Sequence, residues 1–129
     1  KFAGILKKYK KSIKQVLMDQ EAIAGIGNIY ASEALFLAKI DPRRPANGLN
    51  DTEADKLYKS LLEVLKMGIK YQGSSENAYV NVDGEKGSMQ EHVNVYGKTG
   101  EYCPNKCKGK IKRIVLGGRG TFFCPACQR

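Results

Sequence analysis

Four cysteines fall in the last 27 residues as two close pairs, Cys103/Cys107 and Cys124/Cys127, with sixteen residues between the pairs. Thiols at that spacing suit one tetrahedral zinc ion. Each tight turn offers two thiolates, and a hairpin-length spacer brings the turns together. A disulfide pairing is the competing use of the same residues, but nothing else in the sequence marks a secreted chain. The second pair has the common C-x2-C form, whereas the first is C-x3-C. The extra residue is expected to distort the first turn without abolishing metal binding.

Two other patterns could carry chemistry. Gly25-Ile26-Gly27-Asn28 stands between two helical stretches. Glycines admit a close approach of the backbone, and the helix that follows starts with free N–H groups, a ready anion site. The Asn28 side chain can cap that helix or donate to a phosphate, so a plain helix–helix turn remains open. Gly117-Gly118-Arg119-Gly120 places one arginine at a predicted hairpin tip, either as an exposed turn residue or as a fork for phosphate. Its attachment to a zinc hairpin in a basic chain favours the second. Tyr96 can donate to a phosphate or pack beneath the hairpin. Lys7, Lys8, Lys10, Lys11 and Lys14 form a basic stretch that is ordinarily a solvated face. His92 is the only histidine, and a surface or satisfied position suits it better than a catalytic one. Asp19 and Glu33 read as structural carboxylates that fix the glycine turn.

The composition bounds the rest. The 129 residues carry 22 Lys+Arg against 13 Asp+Glu, a net charge of +9. Four thiolates and one Zn²⁺ would lower that by two, to about +7. So large an excess points to an acidic partner, with nucleic acid first. No apolar run approaches the ~20 residues of a membrane span, and no signal peptide is visible. The chain opens on Lys1 rather than Met, as a piece of a longer protein would.

The elements that must position these residues follow from periodicity. Phe2, Ile5, Leu6 and Tyr9 recur at helical spacing. Ser12 is placed to cap a helix over 13–19, with Ile13, Val16 and Leu17 inward. A third helix is expected from about 29 to 38, stopped by Asp41-Pro42. Asn50 and Glu53 read as a capping box for a fourth, ending near 71, with Ala54, Leu57, Leu61, Val64, Leu65 and Ile69 as its stripe. Residues 73–90 read as a loop, 93–96 as a short strand, and 110–116 and 121–124 as paired strands. The fold class expected is mainly α: a helical domain over 1–90, including that loop, which the resemblance described next makes a helix-two-turn-helix domain, followed by a small zinc-bound β-hairpin over 91–129.

The stretch from Ile13-Lys14 through Leu17-Met18-Asp19-Gln20 to Gly25-Ile26-Gly27-Asn28-Ile29-Tyr30-Ala31-Ser32-Glu33 resembles the helix-two-turn-helix core of formamidopyrimidine-DNA glycosylases. So do Val95-Tyr96-Gly97 and Gly118-Arg119-Gly120-Thr121-Phe122-Phe123-Cys124-Pro125-Ala126-Cys127-Gln128 in the tail. The resemblance implies an enzyme of base excision repair that removes oxidised purines from duplex DNA and nicks the abasic site. It implies that Asn28, Arg119, Tyr96 and Lys14 contact phosphates around the lesion. It also implies that Cys103, Cys107, Cys124 and Cys127 hold one structural zinc, and that the loop at 73–90 closes over the everted base. The family's nucleophilic N-terminal proline and its glutamate have no match here, so this chain would be the DNA-gripping C-terminal part, without catalytic residues of its own. The expected partner is double-stranded DNA with an oxidised purine or abasic site, and the expected setting is the cytoplasm or nucleoid, as a monomer without a membrane role. A stand-alone, non-enzymatic zinc module and an endonuclease VIII-type fragment are the alternatives.

Overall fold

The computed structural model describes residues 2–19, 27–70 and 93–129, the side chains of 69 and 70 excepted. Gly25, Ile26, the expected loop at 73–90 and His92 lie outside the described residues. Four helices run α1 (Phe2–Leu6), α2 (Ile13–Met18), α3 (Asn28–Ala38) and α4 (Asp51–Lys70), with a short 3-10 turn at Ala46–Gly48. Strands β1 (Lys112–Leu116) and β2 (Arg119–Phe123) then form an antiparallel hairpin.

Local chemistry sets the helix ends. The Ser12 hydroxyl accepts from the Gln15 N–H at 3.2 Å and opens α2. Asn50 Oδ1 accepts from the Glu53 N–H at 2.8 Å, while Glu53 Oε1 accepts from the Asn50 N–H at 3.0 Å, a reciprocal capping box that opens α4. The same Glu53 carboxylate takes both terminal nitrogens of Arg44, fastening the connection before α4 to the helix itself. Helix α3 stops before Asp41-Pro42 is reached. Lys39 turns left-handed at φ 60°, and its N–H caps the carbonyls of Leu35 and Phe36.

Helix α3 is apolar nearly all round, as a helix buried on more than one side must be. Ala31, Ala34, Leu35 and Ala38 face a core shared with Leu6, Ile13, Val16, Leu17, Leu57, Leu61 and Val64. Phe36 points the other way, into a second cluster with Val95, Cys103, Ile111 and Cys124. The predicted stripe of α4 is buried at Ala54, Leu57, Leu61 and Val64 and half-buried at Leu65. Gly68 is tolerated within that helix because a Cβ there would lie 2.2 Å from the Tyr30 hydroxyl and 2.7 Å from its ring.

Two expectations are corrected. Residues 93–96 do not form a strand. The alternation reports correctly that Val93 and Val95 are inside, but the amides of Asn94, Val95 and Tyr96 donate to the Glu33 carboxylate at 2.6–2.9 Å and not to a neighbouring strand. Nor is Arg119 at the hairpin tip. The turn needs only Gly117 and Gly118, with φ of 58° and 79°, the two-residue geometry whose twist matches paired strands. Arg119 therefore enters β2 opposite Leu116.

Because Phe36 is 2% exposed and joins the helices to the hairpin, Phe36→Ala is expected to lower stability by about 3 kcal/mol. Denaturant unfolding followed at both the helices and the hairpin checks this, with the hairpin signal shifting further.

Candidate metal centre and nucleic-acid interface

The four cysteines converge. Their sulfurs lie within 4.8 Å of one another. Cys103 Sγ is 3.5 Å from Cys127 Sγ, and Cys107 Sγ is 3.5 Å from Cys124 Sγ. A disulfide would need about 2.05 Å. A tetrahedral site with zinc–sulfur distances of about 2.3 Å requires sulfurs ~3.8 Å apart, so the donor set fits zinc. The two short contacts each run between the two turns, so a single ion would tie both turns together. The thiols are unequal. Burial pushes Cys103 up to about 12 and raises Cys127. Hydrogen bonding from Cys127, then from the Gly109 N–H, lowers Cys107 to about 7. A dication reverses the preference by displacing the protons, so metal binding competes with acid.

The longer first turn is accommodated in the backbone. Lys106 and Lys108 adopt left-handed conformations, at φ 58° and 70°, each a strain of order 1 kcal/mol for a residue other than glycine. The Lys106 N–H closes the turn on the Cys103 carbonyl at 3.0 Å, and the Asn105 N–H donates to Cys103 Sγ at 3.4 Å. Gly109 is required by space: a Cβ would lie 2.8 Å from that of Ala126 and 2.9 Å from Cys124 Sγ. Gln128, overlooked as a functional residue in the sequence, ties the second turn to the helices. Its carbonyl accepts from the Cys124 N–H at 2.8 Å, and its amide donates to the Ile40 carbonyl at 2.9 Å.

The hairpin meets the helices at a polar junction built on Lys14. The sequence placed this residue in a solvated basic face. Lys7, Lys8, Lys10 and Lys11 are indeed exposed, but Lys14 is 1% exposed. Its ammonium donates to Asn28 Oδ1 at 2.6 Å and to the Thr121 hydroxyl at 3.0 Å. Thr121 in turn donates to the Arg119 carbonyl at 3.2 Å. Burial, and then the charge of Arg119, lower the Lys14 amine to about 8.

Asn28 does not cap α3. It is the first helical residue, after Gly27. With its oxygen held by Lys14, its amide donates to the Gly120 carbonyl at 2.9 Å and lies 3.5 Å from the Tyr96 hydroxyl. The Tyr96 ring packs edge-on to Phe122 at 4.8 Å, as one of its two readings had it, and its hydroxyl stands in the junction. Arg119 is exposed. It borders a recess of about 360 Å³ together with Lys11, Lys14, Gln15 and Asp19, where Lys11 pairs with Asp19 at 2.8 Å. All four residues singled out for phosphate therefore surround one junction. Glu33 is structural as expected, but what it fixes is the backbone at 94–96. Thr121 was missed as a member of the junction; its signal was its place beside Arg119 and Gly120.

Such a helical domain with an appended four-thiolate hairpin is a helix-two-turn-helix protein with a zinc finger. Residues 1–79 match the family described as formamidopyrimidine-DNA glycosylase H2TH domain, and residues 100–129 match the zinc finger found in FPG and IleRS. The chain belongs to the formamidopyrimidine-DNA glycosylase H2TH family, and its four cysteines constitute a site for one structural zinc. Formamidopyrimidine-DNA glycosylase of Desulfitobacterium hafniense is 49% identical over 119 residues, covering 92% of this chain and 43% of that protein. The Listeria innocua protein of the same name is 44% identical over 128 residues, covering 99% and 46%. A Lactococcus lactis Fpg solved with DNA containing an abasic site superposes with a TM-score of 0.87 at 44% identity, covering 99% of this chain and 46% of that one. The chain spans about half the length of these relatives. Among the described residues, no helix is long and apolar enough to cross a membrane.

The helical core contains none of the four cysteines. Chelation is therefore expected to unfold residues 100–129 while most helical circular dichroism persists. Simultaneous loss of the whole helical signal would contradict that separation.

Proposed function

We propose that this chain is the damaged-DNA-binding C-terminal part of a formamidopyrimidine-DNA glycosylase and AP lyase, acting on duplex DNA with an oxidised purine or abasic site. The observation that carries the reading is the junction of Lys14, Asn28, Tyr96 and Arg119 between the N-terminus of α3 and the zinc hairpin. An ammonium has three donors. Two of the Lys14 protons are directed to Asn28 and Thr121, which leaves one for a phosphate oxygen on the recess it shares with Arg119. Arg119 supplies a planar fork suited to the same anion. The first N–H groups of α3 add fixed partial positive charge beside Asn28. The four cysteines serve the hairpin that carries Arg119, and no residue of this chain is assigned a step in base removal or strand cleavage. The same reading divides the chain into a helical DNA-binding unit, 1–90, and a zinc hairpin, 91–129, in keeping with a helical core whose buried residues all lie between Leu6 and Val64. It places the protein in the cytoplasm or nucleoid, as a monomer.

Binding to a duplex bearing an abasic-site analogue, measured by fluorescence anisotropy across a salt titration, tests this. Each phosphate neutralised contributes about −0.9 to the slope of log K against log salt. Asn28→Ala and Arg119→Ala are each expected to weaken binding, and Arg119→Ala to make the slope shallower by about that amount. Unchanged affinity in both variants overturns the reading.

The Lys14 amine adds a pH dependence. A phosphate favours its charged form, which the folded protein alone holds only up to about pH 8. Affinity is therefore expected to fall as pH rises through and above that value, well before an ordinary lysine near 10.4 would respond. Lys14→Met, compared in the same titration, should abolish that component. For the free protein the sign is opposite. The unfolded chain keeps this proton to higher pH than the native one, so the Lys14 contribution raises stability between about pH 8 and 10.5.

A further inference from the structure

We infer that Arg113 is a further phosphate-binding residue of this interface, reaching it across the hairpin from the opposite strand; the inference rests on the DNA-binding reading above. Arg113 lies in β1 and is paired with Phe122. Its guanidinium does not extend directly outward from that position. It crosses diagonally over β2 at Gly120, where Nε and a terminal nitrogen each lie 2.9 Å from the point a Cβ would occupy. Diagonal neighbours on an antiparallel pair are within reach of a long side chain, but only if the residue beneath leaves room.

Gly120 leaves that room and has no other evident reason to be glycine. It is not among the residues with positive φ, unlike Gly117 and Gly118 in the turn, so its backbone is open to any side chain. The missing Cβ is the space through which the guanidinium passes. The carbonyl of that same Gly120 receives the Asn28 amide at 2.9 Å, and two residues on, Phe122, across from Arg113, packs against Tyr96. Arg113 is thereby directed toward the edge of β2 where Asn28 and Tyr96 stand. Among the described residues no carboxylate pairs with Arg113 or Arg119, and both are exposed. Arg119 already acts on the buried Lys14 ammonium, and an anion between the cations would relieve that repulsion. The ligand chemistry is a phosphodiester, adjacent to the one met by Lys14 and Arg119.

The test is the same abasic-site duplex titration with Arg113→Gln, Gly120→Ala, their combination, and Asn28→Ala as the control for the site as a whole. Arg113→Gln is expected to lower affinity roughly five- to tenfold and to make the salt slope shallower by about 0.9, one phosphate. Gly120→Ala, by displacing the guanidinium, should lower affinity in the native background and add little to Arg113→Gln. Zinc content and helical circular dichroism should match the unsubstituted protein in every variant. If Asn28→Ala weakens binding while Arg113→Gln changes neither affinity nor slope, this inference is overturned and the DNA-binding reading stands. A weaker Arg113→Gln complex with an unchanged slope also overturns it, since that pattern means support of the hairpin without a phosphate contact. If neither variant affects binding, the DNA-binding reading itself falls.

Discussion

One buried ammonium organises this molecule. Lys14 comes from a six-residue helix, Asn28 from the first position of the next, and Thr121 from a hairpin 107 residues further along. A charge withdrawn from water is strongly disfavoured unless its protons are taken, so these partners must be present together for Lys14 to remain charged inside. The consequence is geometric. With its oxygen committed to Lys14, the Asn28 amide has one orientation, and that orientation directs its NH₂ at Gly120 and toward Tyr96. The residues of the interface are thus ordered relative to one another by the packing of the protein. A phosphate would meet groups already in place, and little side-chain entropy would remain to be lost on binding.

The zinc centre acts on the same arrangement from the far side. Its turns hold β1 and β2 at one end, and Gln128 and Phe36 fasten the hairpin to the loop after α3 and to α3 itself. A segment of some 30 residues has too little apolar surface to order itself. The metal supplies that order, and the hairpin in turn closes the junction over Lys14. The strained lysines of the first turn show how the longer spacing is tolerated. The additional residue is absorbed by left-handed backbone at Lys106 and Lys108, leaving the sulfurs at zinc spacing.

What could be read from the sequence was what depends on near neighbours. The cysteine pairs, the Ser12 cap, the Asn50/Glu53 box, the inward positions of α4 and the hairpin itself all declare themselves within a few residues. What could not be read depends on distant parts of the chain. Nothing around Lys14 separates it from its four exposed neighbours, because the hairpin that covers it comes from the other end of the protein. The alternation at 93–96 marks burial faithfully but is silent about where the amides point, and a single carboxylate took the place of a partner strand. Arg119 was assigned to the hairpin tip because four residues of turn chemistry, three of them glycines, run together there. The turn uses the first two, and the third glycine lies under Arg113.

The way Glu33 is stabilised has an effect well beyond 94–96. This carboxylate is 2% exposed and is met by three main-chain amides, and among the described residues no lysine or arginine pairs with it. Main-chain dipoles act over short distances, whereas unpaired cations project a field into solvent that persists for about 8 Å at physiological ionic strength. By relying on amides for this internal need, the fold commits no surface cation to this group; the carboxylate's own negative charge still counts, within a net charge of +9 that keeps the potential positive. Such a potential acts before contact: it orients a polyanion during diffusional approach and raises the frequency of productive encounters. The carboxylate that never faces the ligand thereby leaves the cations that do face it with their donors uncommitted.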